Sequence, residues 1–474
     1  MSEQVNLGFL DRALRNLRSA WQGIAGVKYD AAAASLRPDL PDEDAARLRE
    51  QMRACLETRG GEVSARARAA ALGHAYLALD AVGRERFLKV LAEDFDVDHE
   101  AVDTAAEALR QADGATVARQ EAEKNLRAAL WAPRVKLLTQ FNSLPEGVKF
   151  LVDMRAELIP MARRDPLLKA LESDLKFRLT MWFDVDFLEL KRITWDGTPA
   201  EVLEKLIAYE AVHAITSWDD LKNRLASDRR CFAYFHPRMP DEPLIFVEVA
   251  LVDGMADSIQ DLLDEKAPVL DPASADTAIF YSISNAQAGL AGISFGDFLI
   301  KRVVDELRGE LPNLKTFATL SPLPGFRRWL QTLLEADGDR PWGETEERRL
   351  VEAAGIDGGA AALRALLARA DWYQDQGAQD ALQPVLTSLA ARYLLHGRRG
   401  QRALDPVAHF HLSNGARLER VNWLGDTSPN GLEQSAGLMV NYLYKLGDIE
   451  QNHEAYRGRG KISASAQVRR LLKG

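Results

Sequence analysis

Cysteine is nearly missing: Cys55 and Cys231 are the only two in 474 residues. Two thiols cannot build a disulfide framework or a four-thiolate zinc site. No apolar run approaches the roughly 18 residues of a membrane-spanning helix, so a membrane protein is not expected. Basic residues are in deficit, 60 against 70 acidic, for a formal net charge of −10. That balance excludes a general nucleic-acid binder while leaving room for a local basic pocket. The N-terminal stretch MSEQVNLGFLDRALRNLRSAW has no apolar signal core, and Glu3 and Asp11 weigh against an organelle transit peptide. The end, LLKG, carries no peroxisomal address. Cytoplasmic location is the expectation. Sequence repeats and low-complexity linkers are absent too. What is present is 47% hydrophobic and 27% charged, the balance of a globular chain too long for one core.

Texture divides the chain near residue 180. Before it, apolar residues recur at i, i+3, i+4, i+7, as in Leu7, Leu10, Ala13, Leu14 and Leu17, and again in Leu72, Ala75, Tyr76, Leu79 and Val82. This spacing predicts a bundle of helices, with Asp42 or Ser64 as helix caps. After it, segments 188–195, 231–235, 244–251, 277–284, 316–320 and 416–423 read as strands, with helices over 199–213, 216–226, 295–311 and 361–370. The expected fold is a helical domain, residues 1–180, followed by a mixed α/β domain, 181–474. Residues 336–345 read as a solvated loop. The stretch 456–461 (YRGRGK) reads as a flexible connector, since the first glycine of a P-loop would fall at Ala455.

Four places carry candidate chemistry. Gly292-Ile293-Ser294-Phe295-Gly296 matches G-x-S-x-G, with Asp405 and His409 or His411 downstream in hydrolase order. However, Asn285–Ala291 separates Ser294 from its strand, and Ser294 followed by Asp297 is also a helix cap. In the same stretch, residues 287–292 form a Gly-spaced loop before a helix, suited to a phosphate, with Lys301 and Arg302 nearby. It is not G-x-G-x-x-G, which disfavours a nicotinamide cofactor. In residues 405–411, His409 and His411 would share one face of an extended segment, as a metal pair or a single catalytic histidine. The other six histidines show no ligand spacing. Finally, Ser321 begins Ser321-Pro322-Leu323-Pro324-Gly325-Phe326, where the prolines stiffen a strand end.

The strings at 281–304 (YSISNAQAGLAGISFGDFLIKRVV), 317–330 (FATLSPLPGFRRWL), 405–426 (DPVAHFHLSNGARLERVNWLGD) and 437–444 (GLMVNYLY) resemble the malonyl-CoA decarboxylase family, as does 182–206. The resemblance extends over essentially the whole chain. It implies a helical domain used in oligomerisation, a catalytic domain similar to GNAT acetyltransferases, and tetramers. It implies conversion of malonyl-CoA to acetyl-CoA and CO₂, with Ser321 and His411 catalytic and Ser282 and Tyr444 lining the site. The segment Ala291, Gly292, Ile293, Ser294, Phe295, Gly296, Asp297 would contact the acyl-CoA. Where the family often has glutamate, this chain has Ser294, and His409 falls outside the motif. The chemistry agrees without a metal or organic cofactor, because the thioester is itself the electron sink. A GNAT-type acyl-CoA N-acyltransferase is the alternative on the same fold.

Overall fold

The computed structural model describes residues 36–57, 61–112, 116–293, 299–335 and 341–473, with Trp21, Ile24 and Gly114. The stripe from Leu7 to Leu17, residues 294–297 and most of the 336–345 loop lie outside the described residues. From Asp42 to Trp182 every element among the described residues is a helix. Side chains of Asp80, Asp98, Thr116 and Asp165 cap four of these helices by accepting from the first-turn amides. The expected caps differ: Pro41 holds the position before Asp42, and Ser64 lies inside Gly61–Ala78. Leu72, Ala75, Tyr76 and Leu79 are buried as expected, but Val82 is 53% exposed. The cap at Asp80 starts a new helix, Ala81–Glu93, and resets the phase of the stripe.

Beyond Trp182 a sheet forms in the order β1-β2-β3-β4-β5-β10-β6, with β9 on β10. The strands are β1 (Glu189–Ile193), β2 (Arg229–Phe235), β3 (Ile245–Val252), β4 (Thr277–Asn285), β5 (Thr316–Thr319), β6 (Ser321–Pro322), β9 (Arg417–Asn422) and β10 (Met439–Leu443). A separate small hairpin pairs β7 (Arg398–Arg399) with β8 (Arg402–Ala403). All pairs are antiparallel except β4 with β5. Helix Ala200–Tyr209 packs Val202, Leu203 and Leu206 into one cluster with Cys231, Ala233 and Phe246. Helix Leu299–Glu310 sends Val303, Val304 and Leu307 into the main core with Phe232, Val247 and Phe280. The sheet is therefore covered on both sides, which is why β2 and β3 are buried almost throughout. The expected strands and helices are present within a few residues.

Several elements escaped the sequence reading, among them β10 and helices Phe326–Glu335, Glu344–Ala354 and Ile449–Arg459; two others bear on the core and the site. Helix Gln376–His396 buries eleven of its residues, from Ala378 to Leu394. A helix sheathed on most sides shows little polar-apolar contrast to detect. Residues 406–413 are a helix, Pro406–Ser413, and not an extended segment. Asp405 accepts from the amides of Val407 (3.0 Å) and Ala408 (2.9 Å), and Pro406 occupies the first helical position. The stretch 456–461 is likewise no flexible connector. It closes helix Ile449–Arg459 on Gly460 in a left-handed cap. Among the described residues no helix is long and apolar enough to cross a membrane.

Candidate active site

The parallel pair opens like a fork. Pairing of β4 with β5 ends at Phe280–Thr319, and Leu320 donates a last amide bond to the Phe280 carbonyl. Beyond that point β4 continues to Asn285 on β3, whereas Ser321 and Pro322 cross to β10 opposite Val440 and Met439. Ser282 lies on one tine and Ser321 on the other. From there on the two strands no longer pair with each other.

On the β5–β6 side three expected residues meet. The Ser321 hydroxyl lies 3.1 Å from His411 Nε2 and 2.8 Å from Thr319 Oγ1. The Tyr444 hydroxyl lies 2.9 Å from His411 Nδ1. Tyr442, two residues away on β10, stacks its ring on the imidazole with centroids 4.5 Å apart. Ser321, His411 and Tyr444 are all buried. Burial pushes the His411 pKa down to about 3, and among the described residues no acid opposes it by holding a proton on the ring. Both ring nitrogens therefore meet hydroxyls, each able to donate or accept, in a chain from Thr319 to Tyr444. Such a chain can pass a proton without creating a lasting charge.

Helix placement also separates the two histidines. Residues two apart on a helix face different directions, so His409 turns instead to the Tyr456 hydroxyl at 2.8 Å. The metal-pair reading is corrected on this geometry. Asp405 is no triad acid for His411 either. Besides capping the helix, it accepts from the Tyr393 hydroxyl at 3.1 Å and from the Gly325 amide. It thereby ties the helix bearing His411 to the turn following Ser321.

Ser282 stands in different company. Its hydroxyl is 2.8 Å from each Glu210 oxygen and 3.3 Å from Ser284. Glu210 also accepts from the amides of Val212 and His213. Close by, buried Glu248 is bonded to Arg224 at 3.1 Å, and that guanidinium is shared with Asp220. Burial pushes the Glu248 carboxyl up, and the Arg224 charge only partly opposes this. The third expected group, Ala291, Gly292 and Ile293, follows the short turn Ala288–Leu290 and is held by the helical half. Ser294, Phe295, Gly296 and Asp297 lie outside the described residues.

Sequence reasoning missed Thr319, Tyr442, Glu210 and the helical-half contacts. The helix start at Asp405-Pro406 was a readable signal; the others carried none, since each joins the cluster only through a neighbour from elsewhere in the chain.

Residues 95–183 match the malonyl-CoA decarboxylase N-terminal domain, and residues 186–474 match the malonyl-CoA decarboxylase C-terminal domain. The mitochondrial malonyl-CoA decarboxylase of Anser anser anser is 41% identical over 400 residues, 81% of this chain and 79% of that one. The one from Rattus norvegicus is 38% identical over 408 residues, 83% of this chain and 82% of that one. The crystal structure of the Rhodopseudomonas palustris malonyl-CoA decarboxylase superposes with a TM-score of 0.81 at 45% identity, covering 91% of this chain and 99% of that chain. The one from Agrobacterium vitis also scores 0.81, at 43% identity, covering 90% and 99%.

Proposed function

The chain belongs to the malonyl-CoA decarboxylase family, and on that premise we propose how its own residues carry the reaction. The enzyme is a carboxy-lyase that converts malonyl-CoA to acetyl-CoA and CO₂. Ser321 and His411 are the catalytic pair in this reading, with Tyr444 orienting the ring. The observation that carries it is the uncharged chain of hydroxyls and imidazole buried at the end of β5.

Burial keeps His411 neutral. Malonyl-CoA brings a carboxylate into the same low-dielectric space, and an anion there favours the imidazolium. Loss of CO₂ moves that negative charge onto the thioester oxygen as an enolate. The Ser321 hydroxyl then donates its proton to the enolate carbon while His411 Nε2–H restores the hydroxyl. The products are acetyl-CoA and a neutral histidine, so charge balances within the pocket. The fork between β4 and β5 would receive the thioester, with Ser282 on the far tine and Ala291–Ile293 bordering the rest of the molecule.

The test follows CO₂, acetyl-CoA and free CoA together, which separates decarboxylation from acyl transfer and from hydrolysis. Ser321→Ala and His411→Ala should each lower kcat about 1,000-fold while CoA still binds. Near-normal turnover by both variants overturns the assignment.

Residues 1–180 are in this reading the oligomerisation domain of a tetramer, with 181–474 the GNAT-like catalytic domain. Exposed apolar side chains on the helices support that role: Trp131 is 57% exposed, Phe177 63% and Met181 61%. Light scattering on the purified protein tests it. Cytoplasmic residence is a further part of the proposal, which subcellular fractionation tests, the animal relatives being named mitochondrial.

A further inference from the structure

Two helices of the N-terminal half grip the turn that precedes Gly292. Arg155, buried on Gly147–Ala162, donates to the carbonyl oxygens of Gly289 and Ala291. Its charge is met by Glu172 at 2.7 Å. Within the turn, the amides of Leu290, Ala291 and Ile293 bond back to the carbonyls of Gln287, Ala288 and Leu290. Gly289 lies so close to the Val152 carbonyl that no Cβ fits. At its outer end Gly292 adopts φ +71°, and Lys176 Nζ lies 3.2 Å from where a Cβ would stand. Lys176 belongs to helix Pro166–Trp182, is half-buried, and forms no ion pair among the described residues.

The cations that the sequence placed beside this segment are engaged elsewhere. Arg302 donates to the Leu188 carbonyl and lies over the Tyr234 ring. Lys301 faces Glu450 at 3.5 Å. An anion approaching Gly292 thus meets a turn with two carbonyls already capped by Arg155. Glu172 offsets the arginine, and among the described residues the ammonium of Lys176 has no carboxylate paired with it.

We infer that Lys176 is a phosphate ligand for acyl-CoA and that Arg155 is the positioning residue of the turn. This rests on the reading above that Ala291–Ile293 border the acyl-CoA. A half-buried ammonium at a backbone turn is a suitable partner for a phosphate, and a charge-assisted contact of this kind is worth about tenfold in affinity. The helical half is then a part of the substrate site.

The experiment compares malonyl-CoA with malonyl-pantetheine, which keeps the thioester arm and lacks the phosphates, using the full chain. Lys176→Met should lower the ratio of kcat/KM values, malonyl-CoA over malonyl-pantetheine, about tenfold through the KM for malonyl-CoA. Lys176→Arg should restore most of the ratio. Arg155→Lys should raise KM for both substrates and leave the ratio in place. An unchanged ratio in Lys176→Met, or an equal loss on both substrates, overturns the phosphate assignment. Gly292→Val tells which premise failed: unchanged KM values in that variant overturn the border reading of the turn itself, and raised KM values with an unchanged Lys176→Met ratio overturn the lysine alone.

Discussion

The two tines of the fork carry buried polar groups of opposite electrical character. Around His411 there are hydroxyls, an imidazole and aromatic rings, with no carboxylate against the ring among the described residues. Around Ser282 there are Glu210, Glu248, Arg224 and Asp220 in a dense ionic network. Buried charges persist only when partners and hydrogen bonds compensate them, so such a network holds its geometry and resists change. A site that stays neutral until substrate arrives can let the substrate's own charge set its protonation. On the proposed assignment the contrast teaches a division of labour: the His411 side relies on hydroxyls and burial, while paired charge next door holds the hydroxyl of Ser282.

Several substitutions sharpen or break that contrast. His411→Gln keeps a polar side chain and removes the titrating ring; kcat should fall about 1,000-fold in a CO₂-release assay. Tyr444→Phe removes the hydroxyl that faces Nδ1, for a loss of about tenfold to 100-fold in kcat with the fold intact by circular dichroism. On the charged tine, Glu210→Gln should lower kcat/KM about tenfold, since an amide cannot accept at both oxygens as the carboxylate does. If Glu210→Gln costs as much as His411→Gln, the division of labour between the tines fails.

Acidity offers a gentler probe. The unfolded histidine has a pKa near 6.5, whereas folded His411 is held at about 3. As pH falls below about 6.5 the unfolded chain takes up a proton that the folded site refuses. Stability is therefore lost toward low pH, by up to about 1.4 kcal/mol per unit, and is fully present above 6.5. Urea unfolding between pH 5 and 7 should show a steeper fall for the native chain than for His411→Gln. Smallest of all, His409→Asn should leave kcat within about twofold and cost about 1 kcal/mol of stability through its bond to Tyr456. A large catalytic loss there would mean that the two histidines were assigned the wrong way round.

Much of this protein could be read from one dimension. The apolar stripe Leu72–Leu79 announces a buried helix, and the alternating segments announce β1 to β5 and β9, because each element advertises the face it buries within a few residues of itself. The stiff turn at Ser321 and the Gly-spaced turn before Gly292 are also local statements. Helix Gln376–His396 was harder, since burial on most sides erases the pattern.

Composition and periodicity thus determined six of the strands, the change from helical to mixed texture near residue 180, and which turns were unusual. Only tertiary structure decided which side chains meet. Ser321 and His411 are 90 residues apart, Ser282 and Glu210 are 72 apart, and Lys176 reaches Gly292 from another helix altogether. The physical reason is range. Backbone preference and amphipathic spacing act over one or two turns, whereas a hydrogen bond inside the core depends on which faces the collapsed chain presses together. The neutrality of His411 is likewise a property of its surroundings, written in the burial of the ring.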